Sequence, residues 1–464
     1  MDTNNSDEDD AKDADPIEKE KRTDNLTTIV LDGNNLREVK PDILVAEALG
    51  GYKNLSIRDS NISATQLDLL LKMATKSKTM KLLDISNNIV NPVEADRMAG
   101  MAAILETIHM ENCLVEPHKI QEMLKIAAEN DNIKSISLRG VDLRFLHPST
   151  CDSLRQLTRK IEYLNLDRTN MADSIFLRAI LQGAREAIKL SDLSLEKIMS
   201  NTQEQHQEQR QELWNIPSAL IAEALFKIKR VNIASIDFTE VQMQAMMEAC
   251  SGDDARVEKL NVKNTDLRTV KEDTLRKLMI KLQKINMSDC RLSRAQLQQI
   301  MANLTQQSNL KVLKLSKVWS LESIEPMRFQ AISSLRCLDI SEVTLSRKAA
   351  REIIKAAKTS QTLRSLNVRR IYLRHVNPME LVQATKMLHH LDVFACKLHK
   401  KQIMELLRST AKTGHPFFLN IGGNILTRVR NNESMDYQES LAKARRKSAI
   451  CFSAKGINRD CLVQ

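Results

Sequence analysis

Aromatic side chains make up only 3% of this chain, against 42% apolar residues in all. The apolar content is therefore mostly Leu, Ile, Val, Met and Ala, as expected when one aliphatic pattern is used many times. No run approaches the ~20 apolar residues of a membrane-spanning helix. Residues 1–25 lack the apolar stretch of a secretion signal. The eight cysteines, Cys113, Cys151, Cys250, Cys290, Cys337, Cys396, Cys451 and Cys461, form no CxxC pair. With no signal, that argues for reduced thiols in the cytosol or nucleus. A Gly-rich phosphate loop, HExxH, GxSxG and clustered metal ligands are all missing. The expectation is a protein that is not an enzyme and needs neither cofactor nor metal.

Charge is plentiful and uneven. The chain carries +10 overall, yet residues 1–25 hold ten acidic and four basic side chains. That segment is −6, leaving about +16 on the remainder. A basic body calls for an acidic partner or an anionic membrane surface.

The dominant signal is self-similarity. Residues 26–36 read LTTIVLDGNNL, matching L-x-x-L-x-L-x-x-N-x-L at every fixed position. MKLLDISNNIV from Met80 and YKNLSIRDSNI from Tyr52 repeat it. The pattern returns from Leu105, Ile133, Ile161, Leu190, Ile228, Val257, Leu282, Leu310, Leu335, Leu363, Leu388 and Pro416, giving fifteen units. From Leu282 the steps are 28, 25, 28, 25 and 28 residues.

In each unit the LxL segment has the period of a strand, so its two apolar residues point to one side. Helical spacing follows: Leu67, Leu70, Leu71 and Ala74 sit at i, i+3, i+4 and i+7, as do Ile120, Met123, Leu124 and Ala127. One strand and one helix cannot bury an apolar face alone, whereas stacked units share a continuous core. The position after the strand holds Asn34, Asn88, Asn424, Ser60, Thr169, Thr265, Cys113, Cys290 or Cys396, all able to donate a hydrogen bond to a backbone carbonyl. Val141, Ile198, Ile236, Val318, Val343 and Ile371 offer no such donor there.

This pattern resembles the ribonuclease-inhibitor-like class of leucine-rich repeats, and the 25-residue cysteine-bearing steps resemble the cysteine-containing subclass. The resemblance covers residues 26–426. It implies an α/β horseshoe with a concave parallel sheet, convex helices and a protein-binding role. Repeats of this class also occur in an activator of a small GTPase, making a GTPase regulator the alternative. A ubiquitin-ligase recognition subunit is a further alternative, although residues 1–25 show no F-box.

Strand residues between the core positions face the concavity. Many are Asn, a poor strand former, which hints that the surface is used. Arg230, Lys259, Lys263, Lys284, Lys314 and Lys317 fall on neighbouring strands and are expected to form one basic patch for an acidic protein segment. Nucleic acid is the weaker candidate, because the patch has no interleaved aromatics for base stacking. The chain is read as a monomer.

Residues 200–215, SNTQEQHQEQRQELWN, read as an insertion between units, and residues 1–25 as a disordered acidic tail. Residues 427–464 leave the pattern and read as a flexible basic tail, with a short helix around Tyr437–Cys451. The chain ends Cys461-Leu462-Val463-Gln464, a C-a-a-X-like box, so Cys461 is a candidate for prenylation. Lys443, Arg445, Arg446 and Lys447 could assist at an anionic membrane, with Cys451 a candidate acylation site and Ser448 a candidate phosphorylation site. The expected location is cytoplasmic, with peripheral membrane attachment through the lipid.

Overall fold

In the computed structural model of the chain, the structure describes residues 28–41, 43, 52–77, 79–171, 174–198, 215–305, 308–410, 412, 417–424 and 448–451. These fall into two compact units. The first comprises residues up to Gly183 with Ala187–Leu190, the second Ala184–Glu186 with Ser191 onward.

The first unit contains β1 (Thr28–Val30), β2 (Asn54–Ser56), β3 (Leu82–Asp84), β4 (Thr107–His109), β5 (Ser135–Ser137) and β6 (Tyr163–Asn165). Each pairs in parallel with the next: Ile29 lies opposite Leu55, Leu55 opposite Leu83, Leu83 opposite Ile108, Ile108 opposite Ile136 and Ile136 opposite Leu164. Helices such as Ala64–Ala74, Ala95–Ile104, Pro117–Glu129 and Thr150–Lys160 separate the strands in sequence.

The second unit repeats the scheme with β7 (Asp192–Ser194), β8 (Arg230–Asn232), β9 (Lys259–Asn261), β10 (Lys284–Asn286), β11 (Val312–Lys314), β12 (Cys337–Asp339), β13 (Ser365–Asn367), β14 (His390–Asp392), β15 (Phe417–Asn420) and β16 (Ser448–Cys451). All neighbours are parallel and in register. β1 to β15 are the fifteen expected strands. The chain has the α/β architecture of a leucine-rich-repeat solenoid.

β16 departs from expectation. Ser448–Cys451 is a strand paired with Phe417–Asn420, not the end of a helix around Tyr437–Cys451. Sheet pairing at that edge satisfies backbone groups that the short sequence SAIC could not have advertised. The remainder of 427–464, residues 1–25 and residues 200–214 of the insertion lie outside the described residues.

Packing follows the pattern. Leu55 and Ile57, on either side of outward-facing Ser56, are fully buried. So are Leu67, Leu70, Leu71 and Ala74 on the following helix. Burying one such side chain stabilises by about 1.5–3 kcal/mol, and the arrangement recurs in later repeats, as with Ile108, Met110, Ile120, Met123, Leu124 and Ala127.

Polar clamps join the repeats. Ser63 and Gln66 form a reciprocal cap on the helix Ala64–Ala74, and Gln66 Nε2 also donates to the carbonyls of Leu36 and Val39 in the preceding repeat. Gln296 does the same toward Leu267 and Val270, and Gln402 toward Leu373 and Val376. A glutamine at the third helical position thus satisfies loop carbonyls that would otherwise be buried unpaired.

The turn after each strand explains the mixed donor position. Asn88 Nδ2 donates to the carbonyls of Ile57 and Ile85, and Asn424 Nδ2 to those of Val393 and Ile421. Thr169 and Thr265 donate to Leu166 and Val262. The thiols of Cys113, Cys290 and Cys396 reach Ile85, Val262 and Val368 at 3.2, 3.0 and 3.1 Å. The N–H groups of Val141, Ile198, Val318 and Ile371, which have no side-chain donor, donate to the carbonyls three residues earlier, as do those of Cys113, Thr169 and Cys290.

The residue just before this position has positive φ in all fifteen repeats, from Gly33 and Asp59 to Ala395 and Gly423. That is the third residue of a type II-like turn. At Gly140 a Cβ would lie 2.1 Å from Asn112 Oδ1, so any other residue there would displace the Asn112 side chain. Lys317, Glu342, Arg370 and Ala395 hold the same left-handed conformation without that freedom.

Candidate partner-binding face

Most strands bury their middle residue, and the residue before it, the residue after it and the turn residue two positions further on form three rows across each unit. In the second unit the residues before the buried position are Arg230 (β8), Lys259 (β9) and Lys284 (β10). They stand directly opposite one another, Arg230 against Lys259 and Lys259 against Lys284. Lys314 closes β11 in the middle row, opposite Asn286 and Asp339. Lys263 and Lys317 lie beyond the strands, in the turns. Lys263 lies three residues after the buried strand residue and Lys317 four after it, so the six cations are split among four positions of the repeat. Lys259 and Lys263 are separated along the chain by roughly 13 Å of extended backbone.

Their electrostatic settings differ. Arg230 is held by Asp192 on β7, its guanidinium meeting both carboxylate oxygens. Lys317 lies 4.0 Å from Glu342, which also meets Arg370 at 3.3 Å and Arg369 at 3.9 Å. Lys259 and Lys263 have no side-chain partner among the described residues. Lys259 stands between two cations of the adjacent strands, Arg230 on one side and Lys284 on the other.

The asparagines of the middle row have a structural cause that residue-type propensity missed. Asn232, Asn261, Asn286 and Asn367 each accept the backbone N–H two residues onward through Oδ1. Asp84, Asp339 and Asp392 do the same. The side chain fixes the chain where it leaves the strand. Their abundance is explained by turn geometry and is no sign of a binding role.

Sequence reasoning also missed a fourth row. The residue immediately before each strand is tied to its counterpart in the next repeat by a backbone hydrogen bond. In the first unit this row reads Lys53, Lys81, Glu106, Lys134, Glu162, with N–H to carbonyl distances of 2.6, 2.9, 2.7 and 2.8 Å. From Lys81 onward its charges alternate, and Glu106 meets Lys81 at 2.5 Å and Lys134 at 2.6 Å. The two lysines hold the Glu106 carboxyl below its ordinary pKa.

In the second unit the same row reads Lys229, Glu258, Gln283, Lys311, Arg336, Arg364 and His389, again linked in series at 2.7–2.9 Å. Beyond Glu258 it contains no acid. Lys229, Lys311 and Arg336 are exposed and lack an ion-pair partner among the described residues.

A separate cleft of about 490 Å³ lies at the turn end of β10 to β13, lined by Asp289, Lys317, Trp319, Glu342, Val343, Thr344 and Arg370. Trp319 is 68% exposed there.

The other predicted sites are placed only in part. Ser448 and Cys451 open and close β16, and Cys461 lies outside the described residues. Cys113 and Cys290 are buried, and burial pushes their thiols up to about 11. Cys250 is pushed up to about 12, and Cys396 higher still. Among the described residues no group of three or more His, Cys, Asp and Glu side chains is placed to hold a metal ion. No described helix is long and apolar enough to cross a membrane.

No protein-family model matches the chain, and no curated protein matches it. Among solved structures, it is similar to a leucine-rich-repeat protein of Leptospira interrogans, at 15% identity over 92% of this chain and 90% of that one, with a TM-score of 0.43. The structure of the Rad7 and Elc1 complex of yeast matches at 14% identity, covering 78% and 81%, with a TM-score of 0.48. An internalin of Listeria monocytogenes matches at 11% identity over 75% and 82%, with a TM-score of 0.36. The repeat architecture rests on this chain's own ladder and turns.

Proposed function

We propose that the chain is a protein-binding scaffold whose outward strand face in the second unit holds an acidic segment of a partner protein. The observation that carries this reading is the alignment of Arg230, Lys259 and Lys284 at one position of three adjacent strands. A carboxylate of the partner set beside Lys259, whose side chain has no partner among the described residues, would meet a cation flanked by Arg230 and Lys284. Lys263 and Lys314 border the same face. The face is built on rigid strands, so binding demands little ordering of the scaffold.

The test is binding of the full chain to a labelled peptide of about ten glutamates, a length that spans roughly 33 Å when extended. The set Lys259→Glu, Lys263→Glu and Lys284→Glu should weaken binding by roughly tenfold or more at low salt. Binding should also weaken as salt rises through 0.1 M, where the screening length is about 10 Å. Unchanged affinity in the reversed set overturns the proposal.

A further inference from the structure

The row just before the strands extends this face into a track. We infer that the acidic partner segment lies across the strands, along the line of Lys229, Lys259, Lys284, Lys311, Arg336 and Arg364. The inference rests on the acidic-segment reading and specifies where the segment runs and how long it must be.

The backbone fixes the line. Arg336 N–H donates to the Lys311 carbonyl and Arg364 N–H to the Arg336 carbonyl, both at 2.8 Å. Three cations therefore stand at equivalent points of consecutive repeats with no acid between them. Lys284 and Lys259 continue the line one residue deeper, as the first residues of β10 and β9, and Lys229 ends it before β8.

The first unit shows what this position looks like when its charges serve only the fold. There, Lys81 and Lys134 flank Glu106 and pair with it. At the corresponding place in the second unit, Arg336 stands between Lys311 and Arg364. A surface charge at this position has a ready neutralising solution, and beyond Glu258 the second unit does not use it.

The span sets the occupant. Six strands, β8 to β13, have five spacings of about 4.8 Å, hence roughly 24 Å. An extended peptide rises about 3.3 Å per residue, so seven or so consecutive residues cover the track. Among the described residues no exposed aromatic lies along it to stack a base, which favours carboxylates over a nucleic-acid strand.

The experiment compares variants of the full chain against the labelled polyglutamate peptide at low salt. Lys311→Glu, Arg336→Glu and Arg364→Glu together should lower affinity by roughly tenfold or more. The Gln versions of the three, which cannot introduce repulsion within the fold, should show a smaller loss in the same direction. Lys81→Gln with Lys134→Gln should bind as the parent does. If the set at Lys259, Lys263 and Lys284 loses binding while the set at Lys311, Arg336 and Arg364 keeps it, the track is wrong and the patch stands. If neither set loses binding, both fall. Tighter binding of an oligothymidylate than of the peptide, lost in the same variants, overturns the assignment of the occupant.

Discussion

Lys311 and Arg336 occupy the same rung of neighbouring repeats, the Arg336 N–H donating to the Lys311 carbonyl at 2.8 Å. The equivalent rung in the first unit joins Lys81 to Glu106, whose side chains meet at 2.5 Å. One backbone arrangement thus carries opposite electrostatic choices. Arg336→Glu would import the paired arrangement, placing a carboxylate between Lys311 and Arg364. Exposed pairs of this kind contribute about 0.2–1 kcal/mol. The variant should therefore be at least as stable to urea as the parent while binding the acidic peptide less well. A clear loss of stability would show that Arg336 serves the fold instead.

Gln296 offers a sharper test of how repeats are joined. Its side chain caps Ser293 N–H and donates to the carbonyls of Leu267 and Val270. Gln296→Leu keeps the volume and strands these buried groups, each worth about 1–3 kcal/mol when left unsatisfied. A loss of roughly 2–4 kcal/mol in urea unfolding is expected. Leucine at no cost would mean that water or local movement replaces the clamp.

Thiol reactivity follows from the buried cysteines. Cys113, Cys250, Cys290 and Cys396 are all buried, and burial raises each thiol's pKa well above its ordinary value. Since the thiolate is the reactive species, iodoacetamide at pH 8 should leave these four unlabelled in the native protein and label them after denaturation. Mass spectrometry of the digested protein reads this residue by residue. Native-state labelling of Cys290 or Cys396 would contradict their role as donors in the repeat turns.

Acid sensitivity should centre in part on His390. Its ring stacks on Phe418 with centroids 4.8 Å apart, and burial lowers its pKa below the ordinary 6.5. A base whose folded pKa is depressed contributes its full stability above the unfolded pKa and loses it as pH falls through 6.5 toward the folded value. His390→Phe keeps an aromatic partner for Phe418 and removes the titration. Between pH 7 and pH 5 the variant's unfolding midpoint should fall less than the parent's. Identical profiles would exclude His390 as a source of the pH dependence.

Much of the fold was legible because burial and strand period share one signal. Leu55 and Ile57 flank Ser56 in the sequence as they do in the sheet, and Cys113 could be read as a turn donor from its place in the template. The binding face was read less well. Asn261 looked like a residue kept for a partner, yet its Oδ1 accepts the Lys263 N–H; composition alone does not separate these causes. Lys311, Arg336 and Arg364 were passed over because they precede the strand by one residue. Their signal was present in the second position of LKVLKL, LRCLDI and LRSLNV. The strand Ser448–Cys451 lacks the leucine spacing of the repeats, and nothing local distinguishes it from a helix end.

Zero-length carbodiimide crosslinking of the full chain to the polyglutamate peptide, mapped by mass spectrometry, tests the binding face most directly. Amide bonds between peptide carboxylates and Lys229, Lys259, Lys284 and Lys311, with Lys53, Lys81 and Lys134 not joined to the peptide, are the predicted result. Crosslinks spread evenly over the lysines of both units, or concentrated on Lys81 and Lys134, would contradict an acidic-segment face in the second unit.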